Sequence, residues 1–442
     1  MKKIIIFYIF LLIDSSAQDL QRTVEELMKT NPIILERAKN YESTQKDIDI
    51  AFAGYYPKID LSLGGGFEQT KKNTILRGEE SFDFAVYQNS LKYTQNIFEG
   101  FNTYHKVQGQ EYRTIGAAYS YVEKVNTTTL DMANTYLALM KNQELIQTAQ
   151  RNIDINTEIL RKVKRLYEAG LTTLSEVHKI ESSLALALSN YVVQENTLLD
   201  ASYNLGRVLG RRLNPTEMSR PVILTQLPKT REDATEMALN YNPSLLASEY
   251  NVKLAQATKE ERTSPFYPKL DIEIAELSNK NLSAIEGTDD RFRAMAYLSY
   301  NLFNGFADSA ALQKSKFTLY QEHEKKNTIK RQVVESLNLA WNAYEKLQEQ
   351  LVHLQTYKEY SKKTLNLYSK EFDLGRRSLL DLLAAQNDYI NSDVQILSTE
   401  YSILYAKYRV MDSMGILVSS ILGKNASKIY ESVSLKTQDL RK

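Results

Sequence analysis

The chain has 442 residues, room for two or three ordinary domains, and its 55 Lys and Arg against 54 Asp and Glu leave a net charge of +1. Near-neutrality offers no electrostatic case for a nucleic-acid partner. The absence of cysteine excludes disulfides, thiol catalysis, Cys-based metal sites and a lipidated N-terminal Cys. A composition 43% apolar and one quarter charged is globular rather than disordered. The 29 tyrosines against one Trp suit half-wet surfaces such as helix seams or membrane interfaces.

At the N-terminus Lys2-Lys3 precede an apolar run from Ile4 to Ile13 and the small residues Ser15-Ser16-Ala17. This is the pattern of a secretory signal, residues 1–17, with cleavage expected after Ala17. The run is too short to span a bilayer as a helix, which takes about 20 residues. No later stretch is long and apolar enough either, so a soluble periplasmic protein or a β-barrel membrane protein remain.

From Gln18 to about Ala53 the pattern is helical, with Asn31-Pro32 placed to cap and restart a helix. After Tyr56-Pro57-Lys58 the period becomes two: Ile59, Leu61, Leu63, Gly65 and Phe67 alternate with polar or small residues, a strand with one apolar face. A polar loop is expected around Lys71 to Glu80, then a second strand from about Phe82 to Ile97. In that strand the apolar parity switches between Val86 and Tyr87, where a bulge or an emergence from the apolar band is expected. Asn96-Ile97-Phe98-Glu99-Gly100-Phe101 leads into a helical region reaching Ala169, and no proline occurs between Pro57 and Pro215. About 68 helical residues rise roughly 100 Å. Ile146, Ala149, Ile153, Leu160, Val163 and Tyr167 before a turn at Gly170, and Leu174, Val177, Leu184, Leu188, Tyr191, Leu198, Leu205 and Leu209 after it, keep coiled-coil spacing. One such helix pair cannot bury itself alone, so further helices must flank it.

Pro215, Pro221 and Pro228 mark a linker over 214–230, and then the pattern starts again. Asn242-Pro243 and Tyr267-Pro268-Lys269-Leu270-Asp271 match Asn31-Pro32 and Tyr56 to Asp60 at an offset of 211. Asn301-Leu302-Phe303-Asn304-Gly305-Phe306 matches Asn96 to Phe101 at an offset of 205, as does Gly375 to Gly170. The slip falls in a polar loop from Ser278 to Asp290, where length changes are tolerated. The chain therefore reads as an internal two-fold repeat, 18–213 and 231–422, with strands over about 56–97 and 267–303, and a polar tail over 423–442. In each turn Thr173-x-x-Glu176 or Ser378-x-x-Asp381 is placed as a capping box for the following helix.

Four strands with one-sided apolar faces leave open edges, and closure of several copies into one barrel resolves both problems. Two small sheets in a soluble α+β protein do not fit helices of roughly 100 Å. The duplicated Tyr-Pro-Lys-[Ile/Leu]-Asp strand entries, the Asn-[Ile/Leu]-Phe-x-Gly-Phe exits and the turns Tyr167 to Leu171 and Phe372 to Arg376 together resemble the TolC family of outer-membrane efflux proteins. The resemblance covers nearly all of the mature chain. It implies an α+β membrane protein forming a homotrimer, with a twelve-stranded barrel amid outer-membrane lipid and a tunnel of antiparallel helical hairpins crossing the periplasm. It also implies docking on an inner-membrane pump through a periplasmic adaptor, in efflux or type I secretion.

By family position Arg377, Glu176 and Phe372 fall on the constriction at the periplasmic tip. Arg376 and Arg377 begin a helix, where the macrodipole disfavours cations, and Glu176 is a candidate to compensate them or simply a helix cap. Phe372 stands where the family can carry Tyr, so a hydroxyl bond is lost. Asp381 either faces the tunnel axis as a ring of carboxylates or is again a cap; Ala384 replaces a second acid that family members can carry one turn on. Gly170, Leu171, Gly375 and Leu379 are the adaptor contacts the resemblance implies, beside their role in terminating helices and packing the hairpins. The four histidines lack metal-ligand spacing, no cofactor is implied, and enzyme signatures are absent. The expectation is a passive exit duct, not an enzyme; the rival is a periplasmic coiled-coil scaffold without a pore.

Overall fold

The computed structural model describes residues 19–74, 78–221, 223, 225–282 and 285–423. The signal over 1–17 and the tail beyond 423 lie outside them. The described chain is mostly helical with one four-stranded antiparallel sheet in the order β1-β2-β3-β4. It divides into two units: residues 39–119 with 244–329, which hold the sheet, and the remainder, which holds both helical turns.

In the sheet unit, β1 (Lys58–Thr74) pairs with β2 (Gly78–Glu99), β2 with β3 (Lys269–Lys280), and β3 with β4 (Thr288–Ser299). The β1–β2 ladder runs unbroken from Lys58↔Thr94 to Thr74↔Gly78. The polar loop expected from Lys71 to Glu80 is therefore mostly strand, because backbone pairing in a hairpin does not depend on side-chain polarity. β3 reaches back only to Tyr87, so the β1–β2 hairpin outruns its neighbour as a two-stranded ribbon. The parity switch at Val86 and Tyr87 coincides with the start of that ribbon. The bulge lies elsewhere, at Asn96/Phe98.

Ile59, Leu61, Leu63 and Phe67 of β1 share a face with Leu91 of β2 and with Phe292 and Leu298 of β4. All are exposed, Leu61 at 68% and Leu298 at 73%. The opposite face is polar: Lys92 Nζ lies 2.5 Å from Glu273, and Asn96 donates to Asp271 at 2.8 Å. Aromatic residues gather where the strands meet the helices. Both Asn-x-Phe-x-Gly-Phe exits are turns in which Gly and Phe are left-handed, at φ +63° for Gly100 and Phe101, +56° for Gly305 and +65° for Phe306. In both the two Phe rings meet edge to face, at 5.4 and 5.2 Å. A side chain on Gly100 would lie 2.6 Å from Ser264 O, so the turn needs glycine for room as well as for φ. In the same unit α2 (Pro32–Phe52) and α3 (Asn102–Glu168) meet through Thr114 Oγ1, which donates to Thr44 O at 2.9 Å. α6 (Pro243–Glu261) stacks Tyr250 on Tyr119 at 5.6 Å, and Gly109 and Gly116 of α3 keep Leu254 and Tyr250 close.

The long helices are as the proline-free stretch requires. α3 has 67 residues and leads to α4 (Leu174–Leu209); α7 (Ala307–Asp373), again 67 residues, leads to α8 (Leu379–Ser413). Two Asn-Pro junctions do equivalent work at the ends of α1 (Leu20–Thr30) and α5 (Arg231–Tyr241). Asn31 Nδ2 donates to Val208 O near the end of α4 at 2.9 Å, and Asn242 Nδ2 to Ser413 O at the end of α8 at 3.0 Å. These buried bonds satisfy carbonyls that a helix terminus leaves without a partner. α9 (Leu417–Leu422) packs on α1 and α8. The linker is fastened, with Tyr136 donating to Ser219 O at 2.8 Å and Arg220 Nη2 meeting Glu400 at 2.9 Å. Among the described residues no helix is long and apolar enough to cross a membrane.

Candidate pore gate at the helical turns

Both turns are built on one plan. Gly170 N donates to Tyr167 O at 2.9 Å and Leu171 N to Leu166 O at 2.8 Å; Gly375 N donates to Phe372 O at 3.0 Å and Arg376 N to Glu371 O at 2.9 Å. Each pair is the double bond of a Schellman motif around a left-handed glycine, at φ +71° and +69°. Both glycines terminate helices as expected.

The caps that follow differ. Ser378 Oγ accepts from Asp381 N at 3.1 Å and donates to Asp381 Oδ2 at 2.8 Å, so the expected cap at α8 forms and Asp381 is part of it. At α4 it does not: Thr173 makes no side-chain cap bond, and its hydroxyl pairs with Ser175 at 2.7 Å instead. A neighbouring hydroxyl two residues on has intercepted the capping group, and Glu176 has no reciprocal role there.

The two hairpins share one apolar cluster. Val163, Val177 and Ile180 of the first and Leu379 and Leu383 of the second are buried together, with Phe372 packed against them. Leu379, at 2% exposure, is therefore a hairpin core residue and not a surface contact for a partner, because α8 turns that side onto α3 and α4. The exposed leucines of the turns are Leu171 (74%) and Leu374 (69%), with Leu380 exposed one position past Leu379.

Arg377 is held within its own hairpin. Its Nε and Nη2 both lie 2.8 Å from Glu371 Oε2, its guanidinium sits 4.1 Å from the Tyr368 ring centre, and Asp381 lies 3.8 Å away. Hydrogen bonding to Glu371 raises its already high pKa further. The expected pairing with Glu176 is not made: Glu176 has no ion pair among the described residues, nor has the exposed Arg376. Phe372 accepts the Lys162 ammonium over its ring at 5.9 Å, while Lys162 itself pairs with Asp373. Lys164 bonds Glu181 at 2.9 Å and holds that carboxyl below its usual range, with His178 assisting at 3.3 Å. Among the described residues no group of three or more His, Cys, Asp or Glu could hold a metal ion.

Sequence reasoning missed Tyr368, Glu371, Lys162 and Asp373. Helical spacing already placed Tyr368 and Glu371 on neighbouring turns just before Gly375. Only the chain reversal brings Arg377 back over them.

The family model described as outer membrane efflux protein matches residues 23–211 and 234–415. The outer membrane efflux protein BepC of Brucella suis is 22% identical over 363 residues, covering 79% of this chain and 78% of that protein. The outer membrane protein TolC of Escherichia coli is 19% identical, covering 96% and 89%. Among solved structures, the CmeC outer membrane channel of Campylobacter jejuni superposes with a TM-score of 0.79 at 15% identity, covering 93% of this chain and 88% of that one. The open-state MtrE outer membrane channel of Neisseria gonorrhoeae gives 0.74 at 15%, covering 91% and 89%. With its two matched segments taking in both hairpins, the chain belongs to the outer membrane efflux protein family, the TolC family of outer-membrane transport channels.

Proposed function

We propose that the protein is the outer-membrane exit duct of an efflux or type I secretion system, a passive homotrimer with no chemistry of its own. The observation that carries this reading is the sheet. Among the described residues its β1 and β4 edges are unpaired, one face is an exposed apolar row, and the other carries ion pairs. Lipid outside and water inside suit such a sheet, and closure removes both edges. Three copies give twelve strands, within the range of transmembrane barrels. The row from Ile59 to Phe67, eight steps of about 3.3 Å, runs about 26 Å along the strand and, at a tilt of about 40°, covers about 20 Å of an apolar band about 25 Å tall. The aromatic rings at its helix end suit a membrane interface.

The helical hairpins would line a periplasmic tunnel, and the two glycine turns would form its tip and entrance. An internal duplication would give each chain two quasi-equivalent hairpins, in keeping with the paired Schellman turns and the paired Asn-Pro fastenings. A periplasmic adaptor would meet the exposed Leu171 and Leu374 beside Gly170 and Gly375, and an inner-membrane pump would supply the energy. Opening would spread the tips once contacts at Arg377 and Arg376 are broken, and Asp381 would put three carboxylates near the entrance.

Detergent extraction from membranes, with mass determination and negative-stain imaging, tests this. A trimer with a hollow stalk is expected; a monomeric or dimeric solid rod overturns the pore in favour of a scaffold.

A further inference from the structure

The two places where a strand hands over to a long helix are alike at the turn and unlike before it. Both turns hold a left-handed Gly and Phe, and in both the two Phe rings meet edge to face. Ahead of the first turn, Asn96 to Glu99 belong to β2 and pair with the start of β3. The partners are Asn96↔Asp271, Phe98↔Leu270 and Glu99↔Lys269, with Ile97 as the bulged residue. Ahead of the second turn β4 stops at Ser299, and Asn301-Leu302-Phe303-Asn304 form no strand. The two sequences nearly match; what the second exit lacks is a neighbour. Leu302 is left 87% exposed and Phe303 69%.

The first exit shows what that neighbour brings. β3 is entered through a single helical turn, Ser264–Phe266, and a side chain on Gly100 would lie 2.6 Å from Ser264 O and 2.9 Å from Tyr267 Cβ. The Phe101 and Tyr267 rings meet edge to face at 6.3 Å. Asp271 takes Lys269 of its own strand on Oδ2 at 3.1 Å and Asn96 on Oδ1 at 2.8 Å. At an offset of 211 the same entry stands ahead of β1, as the helical turn Ala53–Tyr55 followed by Tyr56, Lys58 and Asp60. Lys58 Nζ lies 3.0 Å from Asp60 Oδ1, the same pair within one strand. There the other side is open. Tyr56 is 64% exposed, Phe306 76%, and a side chain on Gly305 would meet nothing within 4 Å. Asn301, with no carboxylate across from it, turns its Oδ1 back to Phe303 N at 3.0 Å.

We propose that the β4 exit is a docking corner for the β1 entry of a second copy, and that it repeats, residue by residue, the corner inside the chain. Asn301 donates to Asp60 of the next copy, and Phe303 stands opposite Ile59 with Leu302 bulged. Gly305 and Phe306 close on Ala53 and Tyr56 of that copy. Pairing then carries β4 on to Asn304 only when the copies assemble, and two open edges are satisfied at once. The duct reading given above supplies the second copy; the corner fixes the register in which the copies join. A slip of one residue would turn the apolar row of β1 to the wrong side, so a glycine that admits one backbone and a polar clamp beside it guard that register.

The chain has no native cysteine, so pairs can be introduced cleanly. Asn301→Cys with Asp60→Cys, both exposed and at opposite edges of the sheet, can link only between copies. Oxidised membranes carrying this pair should give covalent dimers and trimers on a denaturing gel. Two positions along β1 lie about 6.6 Å away, beyond a disulfide's reach, so Asn301→Cys with Ser62→Cys should link about tenfold less. In the cysteine-free chain, Asn301→Asp sets two carboxylates together and should lower the temperature at which trimers dissociate. Adding Asp60→Asn should restore it. Equal or stronger linking through Ser62, trimers that link through neither pair, or an Asn301→Asp defect that Asp60→Asn leaves in place would each overturn the corner. Mass determination separates this from the duct: a wild type that forms no trimer strikes the duct reading, whereas trimers that fail these tests strike the corner alone.

Discussion

The assignment of one sheet face to lipid can be tested by placing the same charge on either side of β1. Leu63 is 70% exposed and sits midway along the row from Ile59 to Phe67. Ser62, its neighbour, lies on the other face, opposite Ser90 of β2. An arginine at the bilayer midplane costs about 2–4 kcal/mol on a barrel, so Leu63→Arg should cost about 6–12 kcal/mol across three copies. Ser62→Arg projects into the polar side and should stay within about 0.5 kcal/mol per chain. Membrane-fraction yield and the temperature at which trimers dissociate on a detergent gel report both. Leu63→Arg should lose most assembled trimer, while Ser62→Arg should melt like the wild type. Equal damage from the two, or greater damage from Ser62→Arg, would refute the lipid-facing assignment and the barrel with it.

Other outcomes follow from the helical unit. Arg377→Ser should raise single-channel conductance in planar bilayers, and an unchanged trace would remove Arg377 from the gate. Gly375→Ala meets open space and should cost about 1 kcal/mol through its φ of +69° alone. Gly415→Ala, at φ +75° and with its new carbon 2.5 Å from Tyr241 O, should lower the melting temperature several times further; equal losses would contradict that close approach. Burial pushes Asp412 up to about 6, with Glu123 adding to the effect and Arg409 opposing it. The folded chain then holds a proton that the unfolded chain releases near pH 4. Stability should therefore fall as pH rises from about 4 to about 6, by at most about 3 kcal/mol. Asp412→Asn should flatten that part of the melting profile, and an unaltered slope would show that other groups produce it.

Much of this architecture was legible in the sequence because its signals are local. A proline-free run and a glycine before a Ser-x-x-Asp cap are enough to specify a long helix, its stop and the next start. The alternating row at Ile59 to Phe67 is enough to specify a strand. What was hidden depends on which element lies opposite. Helical spacing marks Leu379 as facing something, but whether that is a partner protein or the other hairpin is a tertiary fact, and the other hairpin has it. Arg377 next to Glu176 in family position gave no warning of Glu371 and Tyr368, which only the reversal at Gly375 brings near. Thr173 lost its capping role to Ser175, a competition between two hydroxyls that a motif does not register. The ribbon to Thr74 escaped because a two-stranded ladder can run on through polar residues.

Alternation states that a strand has two faces; it does not state which one is inside. In a soluble sandwich Ile59, Leu61 and Leu63 would turn inward, and the row with Lys92 and Glu273 would face bulk water. The helical unit shows this chain burying apolar residues where it has partners for them, since Val163, Ile180 and Leu379 are fully covered. Among the described residues the apolar row of the sheet has no covering layer, although helices adjoin its end. A chain able to bury leucine in one unit has therefore kept it exposed in the other. The polar row supplies the reason, since Lys92 bonds Glu273 and Asn96 bonds Asp271 across the β2–β3 pair. Packing that row into a dry interior would strip several charges of water at a cost of several kcal/mol each. Turned toward the water-filled lumen of the proposed barrel, the same residues would keep their hydration and the leucines would meet lipid. An inverted sheet of this kind is stable only where the solvent itself is inverted.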